Sequence, residues 1–252
     1  MISTETRDGV AVVTLQHGKV NALDVELLGA IEREFCALNA SPPSAAILTG
    51  AGKAFSAGVD LIRLVREGAD YAEALLDGLD RTLGALFNAP YPVVAAINGH
   101  AIAGGHVLAC ACDHRLMAEG KGRIGVPELV VGVPWPTMAL EMVCQAYSPN
   151  RAAELVYLGQ TYAPEEALAR EYVDQLVPAD TLLERAQALA QELGAIPSAA
   201  FRVTKSMLHR STLDKIALLD PERREEIRLS WRSPETMQIV RDYLGRTIGW
   251  TG

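Results

Sequence analysis

Phe55-Ser56-Ala57-Gly58-Val59-Asp60-Leu61 and Asn98-Gly99-His100-Ala101-Ile102-Ala103-Gly104-Gly105 decide how this chain is read. Each ends an apolar run on a turn of small residues and then passes into a stretch with helical spacing. Glycine in such a turn lets backbone N–H groups approach a ligand with no side chain in the way. Two such turns facing each other would put two N–H donors on one carbonyl oxygen. That arrangement is an oxyanion hole, which stabilises an enolate or a tetrahedral oxyanion. A glycine pair at a strand–helix junction also serves as a plain tight turn, so the surroundings carry the decision.

Outward from the two turns, the chain alternates. Gly9 to Leu15, Ala45 to Thr49 and Val93 to Ile97 read as buried strands, and Arg115 to Ala118 as a weaker one. Leu23 to Leu38 has the apolar spacing of a helix, with Asp24, Glu26 and Glu32 on its wet side. Strands alternating with helices predict an α/β fold with a largely parallel sheet. Ligands in such sheets gather beyond the carboxyl ends of the strands, where both turns lie. From Pro136 onward the pattern reads as helix only, ending in one long segment from Pro221 to Leu244. The expected division is a core over 1–196 and a helical portion over 197–252.

Composition narrows the class. The chain has 252 residues, is 49% hydrophobic, and carries a net charge of −8, which argues against a nucleic-acid surface. No apolar run approaches the roughly 20 residues of a membrane helix, and Met1 to Gly9 has no apolar core of a leader. Scattered cysteines at 36, 110, 112 and 144 suggest reduced thiols and a cytoplasmic setting. Cys110 and Cys112, two apart on a helix, face different ways and make a poor metal pair.

Three ordered segments resemble the crotonase (enoyl-CoA hydratase/isomerase) family. They are Gly50 to Leu61; Pro92-Val93-Val94-Ala95-Ala96-Ile97-Asn98-Gly99, running on through Ala103-Gly104-Gly105 to Cys112-Asp113; and Ile124-Gly125-Val126-Pro127-Glu128-Leu129-Val130-Val131-Gly132. The likeness covers nearly the whole chain. It implies a spiral of ββα units, with a C-terminal helical portion that builds a homotrimer or a dimer of trimers. The apolar tail residues Ile216, Leu218, Leu219, Ile227, Leu229 and Trp231 fit that expectation. It also implies an acyl-CoA substrate, with coenzyme A as part of that substrate and no separate cofactor, metal or nucleic-acid partner.

Residue by residue, the resemblance makes the N–H groups of Val59 and Gly104 the oxyanion donors and Glu128 the catalytic carboxylate. It places Ala22 and Leu23 near the pantetheine and thioester, and Ala57, Asp60 and Leu61 near the adenine. Trp135 and Pro136 are expected at the acyl end. Lys53, Arg63 and Lys205 are expected phosphate neighbours or surface cations. Asp60 also reads as a helix cap, and His106 as a packed, hydrogen-bonded residue.

One position departs from the hydratases of the family. Their other carboxylate falls three residues after the second oxyanion donor, and here that residue is Val107. Asp113 and Glu119 do not replace it by spacing. Hydration of a 2-enoyl thioester must activate water and protonate carbon, for which the hydratases use two carboxylates. Moving a double bond from C3 to C2 needs one group that takes a proton from C2 and returns it at C4. The stretch from Ala103 to Arg115 resembles mitochondrial-type Δ3,Δ2-enoyl-CoA isomerases, as do Asn150 to Leu155 and Thr204 to Met207. Isomerisation is therefore the expected reaction. The alternatives are a hydratase, another acyl-CoA hydrolase or decarboxylase of the same fold, and a non-catalytic CoA- or RNA-binding scaffold.

Overall fold

In chain order the computed structural model, which describes residues 1–218 and 221–252, contains β1 (Ile2–Arg7), β2 (Val10–Leu15), α1 (Val25–Ala40), β3 (Ala45–Gly50), β4 (Ala54–Ser56), α2 (Leu61–Glu67) and α3 (Ala69–Phe87). Next come β5 (Val93–Ile97), β6 (His100–Ile102), α4 (Gly104–Cys110), β7 (His114–Ala118), β8 (Ile124–Gly125), α5 (Glu128–Val131), α6 (Thr137–Ala146) and α7 (Pro149–Leu158). The rest is β9 (Thr161–Tyr162), α8 (Pro164–Ala169), β10 (Gln175–Val177), α9 (Leu182–Gly194), α10 (Ser198–Leu218), α11 (Pro221–Arg232) and α12 (Pro234–Ile248).

Among the described residues the strands form two sheets. The larger has the order β1-β2-β3-β5-β7-β10, and the smaller β4-β6-β8-β9. Only β1 against β2 and β8 against β9 are antiparallel. Each large-sheet strand from β3 to β7 is followed by a short strand of the other sheet and then a helix. That ββα step is repeated three times, and it winds the chain into the spiral expected of the crotonase fold.

The inner strands β2, β3 and β5 of the large sheet are buried on both faces, so they read as continuous apolar runs, whereas the edge strand β1 is polar and exposed. Alternate residues separate cleanly. Ala11, Val13, Leu15, Ala46 and Leu48 face the main core with α1 and α3, while Val10, Val12, Ala45, Ile47, Val94 and Ala96 pack against Leu182, Ala186 and Ala190 of α9.

The helix-only reading after Pro136 is corrected by β9 and β10. β10 pairs parallel to β7 and extends the large sheet. At three residues it is too short to leave a period-two signal. The single helix expected over Pro221–Leu244 is two helices. Ser233 accepts from the Thr236 N–H at 3.0 Å and caps α12, and Pro234 stands at its first turn. α11 packs on α3, and α12 packs on α2 and α5. No helix of the described residues is long and apolar enough to cross a membrane.

Candidate active site

The two glycine turns meet. Gly58 has φ +83°, and a Cβ there would lie 2.7 Å from the Ala103 Cβ and 3.1 Å from the Gly104 nitrogen. Only glycine fits both the conformation and the contact. Leu23 holds the first turn in place: its N–H donates to Gly58 O at 2.8 Å, and its carbonyl accepts from Asp60 N–H at 3.0 Å. This pairing skips Val59, whose own N–H is left pointing away from Leu23.

The second turn is held more tensely. Ala103 has φ +52° and ψ −127°, a conformation that costs a non-glycine residue about 1–3 kcal/mol. It is fixed at both ends, its N–H donating to Gly125 O at 2.8 Å and its carbonyl accepting from Val107 N–H at 3.1 Å. The strain turns the next N–H, that of Gly104, out of the ladder. Among the described residues neither the Val59 nor the Gly104 N–H has a hydrogen-bond acceptor. Both residues line one cavity of about 180 Å3.

Glu128, the first residue of α5, lines the same cavity and is only 9% exposed. Its Oε2 is buried with no hydrogen-bond partner. Burial pushes its carboxyl up to about 8, only partly opposed by a hydrogen bond from its own backbone. Val107 completes this side from the first turn of α4. The remaining lining is almost wholly apolar, including Ile102, Val131, Val133, Pro136 and Ala139. Among the described residues Glu128 contributes the only carboxyl to this cavity.

Ala57 and Leu61 also line it; Ala22, Leu23 and Asp60 do not. Leu23 supports Gly104, where a Cβ would meet its Cδ1 at 3.0 Å. Asp60 caps α2 by accepting from Arg63 N–H at 2.9 Å. Trp135 is corrected: it turns into the core at 7% exposure, and its neighbours Val133 and Pro136 face the cavity instead. Lys205 is likewise corrected. Its ammonium is buried against Asp113 Oδ2 at 2.7 Å and Tyr91 O at 3.2 Å, tying α10 to the core rather than awaiting a phosphate. The Arg63 guanidinium is engaged by Glu26 and Glu67, while Lys53 is exposed.

His106 points away from the cavity. Its Nε2 lies 2.6 Å from the Tyr147 hydroxyl, which donates to Tyr172 O at 2.9 Å, and burial lowers the imidazole to about 3. Cys110 donates to the same hydroxyl, while Cys112 donates to Leu108 O.

The far wall of the cavity was not read from sequence. Trp231, Tyr243, Leu244, Thr247 and Ile248, from α11 and α12, close it within the same chain. Trp231 is fully packed and its Nε1–H donates to Pro134 O at 2.8 Å. Leu218 and Leu229 remain exposed, Ile216 and Ile227 pack partly on the core, and Leu219 lies outside the described residues.

With this geometry in place, comparison with known proteins is decisive at one level. The enoyl-CoA hydratase/isomerase family model matches residues 5–227. The chain belongs to this family. Mouse mitochondrial enoyl-CoA delta isomerase 1 is 32% identical over 220 residues, covering 86% of this chain and 76% of that protein. A putative enoyl-CoA hydratase of Thermus thermophilus is 36% identical over 206 residues, covering 79% and 80%. Human mitochondrial delta3-delta2-enoyl-CoA isomerase superposes with a TM-score of 0.89 at 26% identity, covering 100% of this chain and 99% of that one. An enoyl-CoA hydratase from Mycobacterium marinum gives 0.79 at 29% identity, covering 86% and 94%. Family membership makes this chain an acyl-CoA enzyme, and both reaction names of the family stand among its relatives.

Proposed function

We propose that the protein is a Δ3,Δ2-enoyl-CoA isomerase. One observation carries this reading: the cavity holds a single carboxyl, Glu128, with Val107 buried where a second would stand. The thioester oxygen of a 3-enoyl-CoA accepts from the Val59 and Gly104 N–H groups. Ionised Glu128 takes a proton from C2, and the electron pair spreads over C2, C4 and the oxygen as a dienolate. The oxyanion donors stabilise that charge. Glu128, now neutral, returns the proton at C4, and the double bond is left between C2 and C3. A buried carboxyl raised to about 8 is a stronger base than an ordinary one and holds the proton between the two steps. The apolar lining keeps water from the intermediate. Coenzyme A enters as part of the substrate, and the reaction requires no further cofactor.

The test is a ratio. The protein is incubated separately with a 3-enoyl-CoA and a 2-enoyl-CoA, and the products are identified. Isomerisation far faster than hydration is expected; hydration at an equal rate would show that one carboxylate suffices for it and would favour the hydratase reading.

We further propose that it works as a homotrimer or a dimer of trimers. Supporting this, Leu129 and Val130 of α5 and Tyr157 and Leu158 of α7 form an exposed apolar patch on two helices that pack together, with Tyr157 76% exposed. Light scattering at micromolar concentration should give a multiple of three; a monomer overturns it.

A further inference from the structure

The cavity ends at a wall. Where α3, α6 and α11 converge, its lining is Leu79, Ala139 and Trp231. At about 180 Å3 it lies below the roughly 300–1,000 Å3 of sites that enclose a drug-sized ligand. The space suits the reacting carbons and a short tail.

A second cavity of about 230 Å3 opens between the same three helices and α10. Its apolar lining is Leu76, Met138, Ile216 and Ile227; charged Asp80 and Arg224 are exposed, and half-buried Arg228 also lines it, with its guanidinium held by Asp77 at 2.6 Å. Pro136 lines both spaces. On each of the three shared helices, a residue of the first cavity stands within about one turn of a residue of the second: Leu79 and Leu76 on α3, Ala139 and Met138 on α6, Trp231 and Ile227 on α11. The two spaces are therefore neighbours on the same helices, and Trp231 is the bulkiest side chain of the first cavity on the helices they share. The indole cannot swing aside freely, being 2% exposed and anchored by its bond to Pro134 O.

We propose that Trp231 sets the acyl-chain length that this enzyme accepts. It stops a short tail in the first cavity, and the second cavity is the room that a longer tail takes once the indole is removed. The proposal rests on the acyl-CoA reading of the site, not on the direction of the chemistry, so saturated acyl-CoA esters, which cannot isomerise, are the probes.

Dissociation constants are measured calorimetrically for butanoyl-, hexanoyl-, octanoyl- and dodecanoyl-CoA. Each methylene that finds an apolar site tightens binding roughly fourfold. For the native protein that gain should stop near six to eight carbons, with dodecanoyl-CoA bound no more tightly than octanoyl-CoA. Trp231→Ala should improve dodecanoyl-CoA relative to hexanoyl-CoA by at least about tenfold, equivalent to two or three methylenes newly accommodated. Trp231→Phe should move the same way by less, and decides the matter if the alanine variant does not fold. Adding Ile227→Trp to Trp231→Ala should take the gain back by filling the second cavity. Affinity that climbs steadily to dodecanoyl-CoA in the native protein overturns the wall. Loss of affinity at every length alike in both Trp231 variants makes the indole mere scaffolding and overturns it too. Failure of every ester to bind removes the acyl-CoA reading itself, and the proposal with it.

Discussion

The two sides of α4 teach the difference between a site and a scaffold. Gly104 and Val107, three apart, face the cavity; His106 and Cys110, four apart, face Tyr147 and Tyr172. Both sides are buried and both bring polar atoms together. On the scaffold side, most polar groups are spent on one another: His106 Nε2, Cys110 and the Tyr172 carbonyl all meet the Tyr147 hydroxyl, and His106 Nδ1 is left without a partner. On the cavity side, two N–H groups and a carboxylate oxygen are left unspent. Unpaired buried polar groups cost about 1–3 kcal/mol each, a cost that makes sense where a ligand will supply the partner.

The contrast is broken most severely at Glu128. Glu128→Gln should lower isomerisation at least about a hundredfold while acyl-CoA esters still bind; unchanged turnover would move Glu128 out of the reaction. The same substitution should act oppositely on stability. The native carboxyl holds its proton up to about pH 8, whereas the unfolded one releases it near 4.5. Between those values the unfolded state binds fewer protons, so native stability falls as pH rises and the loss is complete above about 8. The glutamine variant does not titrate. Its stability advantage over the native protein should therefore grow from pH 5 to pH 8.5, reaching about 2–4 kcal/mol in denaturant titrations. Because the ionised form is the base, native kcat/KM should rise with pH across the same upper range.

A smaller effect is expected from the turns. Gly58→Ala forces a side chain against Ala103 and the Gly104 nitrogen. Displacing one donor should cost about 2–4 kcal/mol of transition-state stabilisation, read as kcat/KM with far-ultraviolet circular dichroism unchanged. Full activity in a folded variant would remove the oxyanion assignment.

The smallest change in activity belongs to the scaffold side. Tyr147→Phe leaves His106 Nε2 and Tyr172 O without their partner, and should lower stability by about 1–3 kcal/mol. Its kcat/KM should stay within about threefold of native. A loss as large as that of Gly58→Ala would show that the two sides of α4 are not separate.

What sequence could and could not disclose follows the same division. The turns were legible because glycine at 58 and 104 reports a backbone requirement that no side chain can hide. Glu128 and Val107 were legible only through the resemblance of their segments to the family, which fixes Val107 by its place three residues after Gly104. Trp231 was visible as an apolar tail residue, but its destination was not, since a helix face buried on its own core and one buried on a neighbour have the same pattern. Lys205 misled because a lysine's charge is plain in sequence and its buried partner, Asp113, lies 92 positions away. Ser233-Pro234 did mark the break between α11 and α12, and the charge run before it obscured that mark.

The closing of the cavity by α11 and α12 has a consequence for how the protein is made. The oxyanion turns and Glu128 are all in place by residue 128, yet the wall opposite them is translated more than a hundred residues later. While that segment is still within the ribosome, the emerged chain carries an apolar trough with no cover. Competence therefore arrives late in synthesis, only once α11 and α12 have been made.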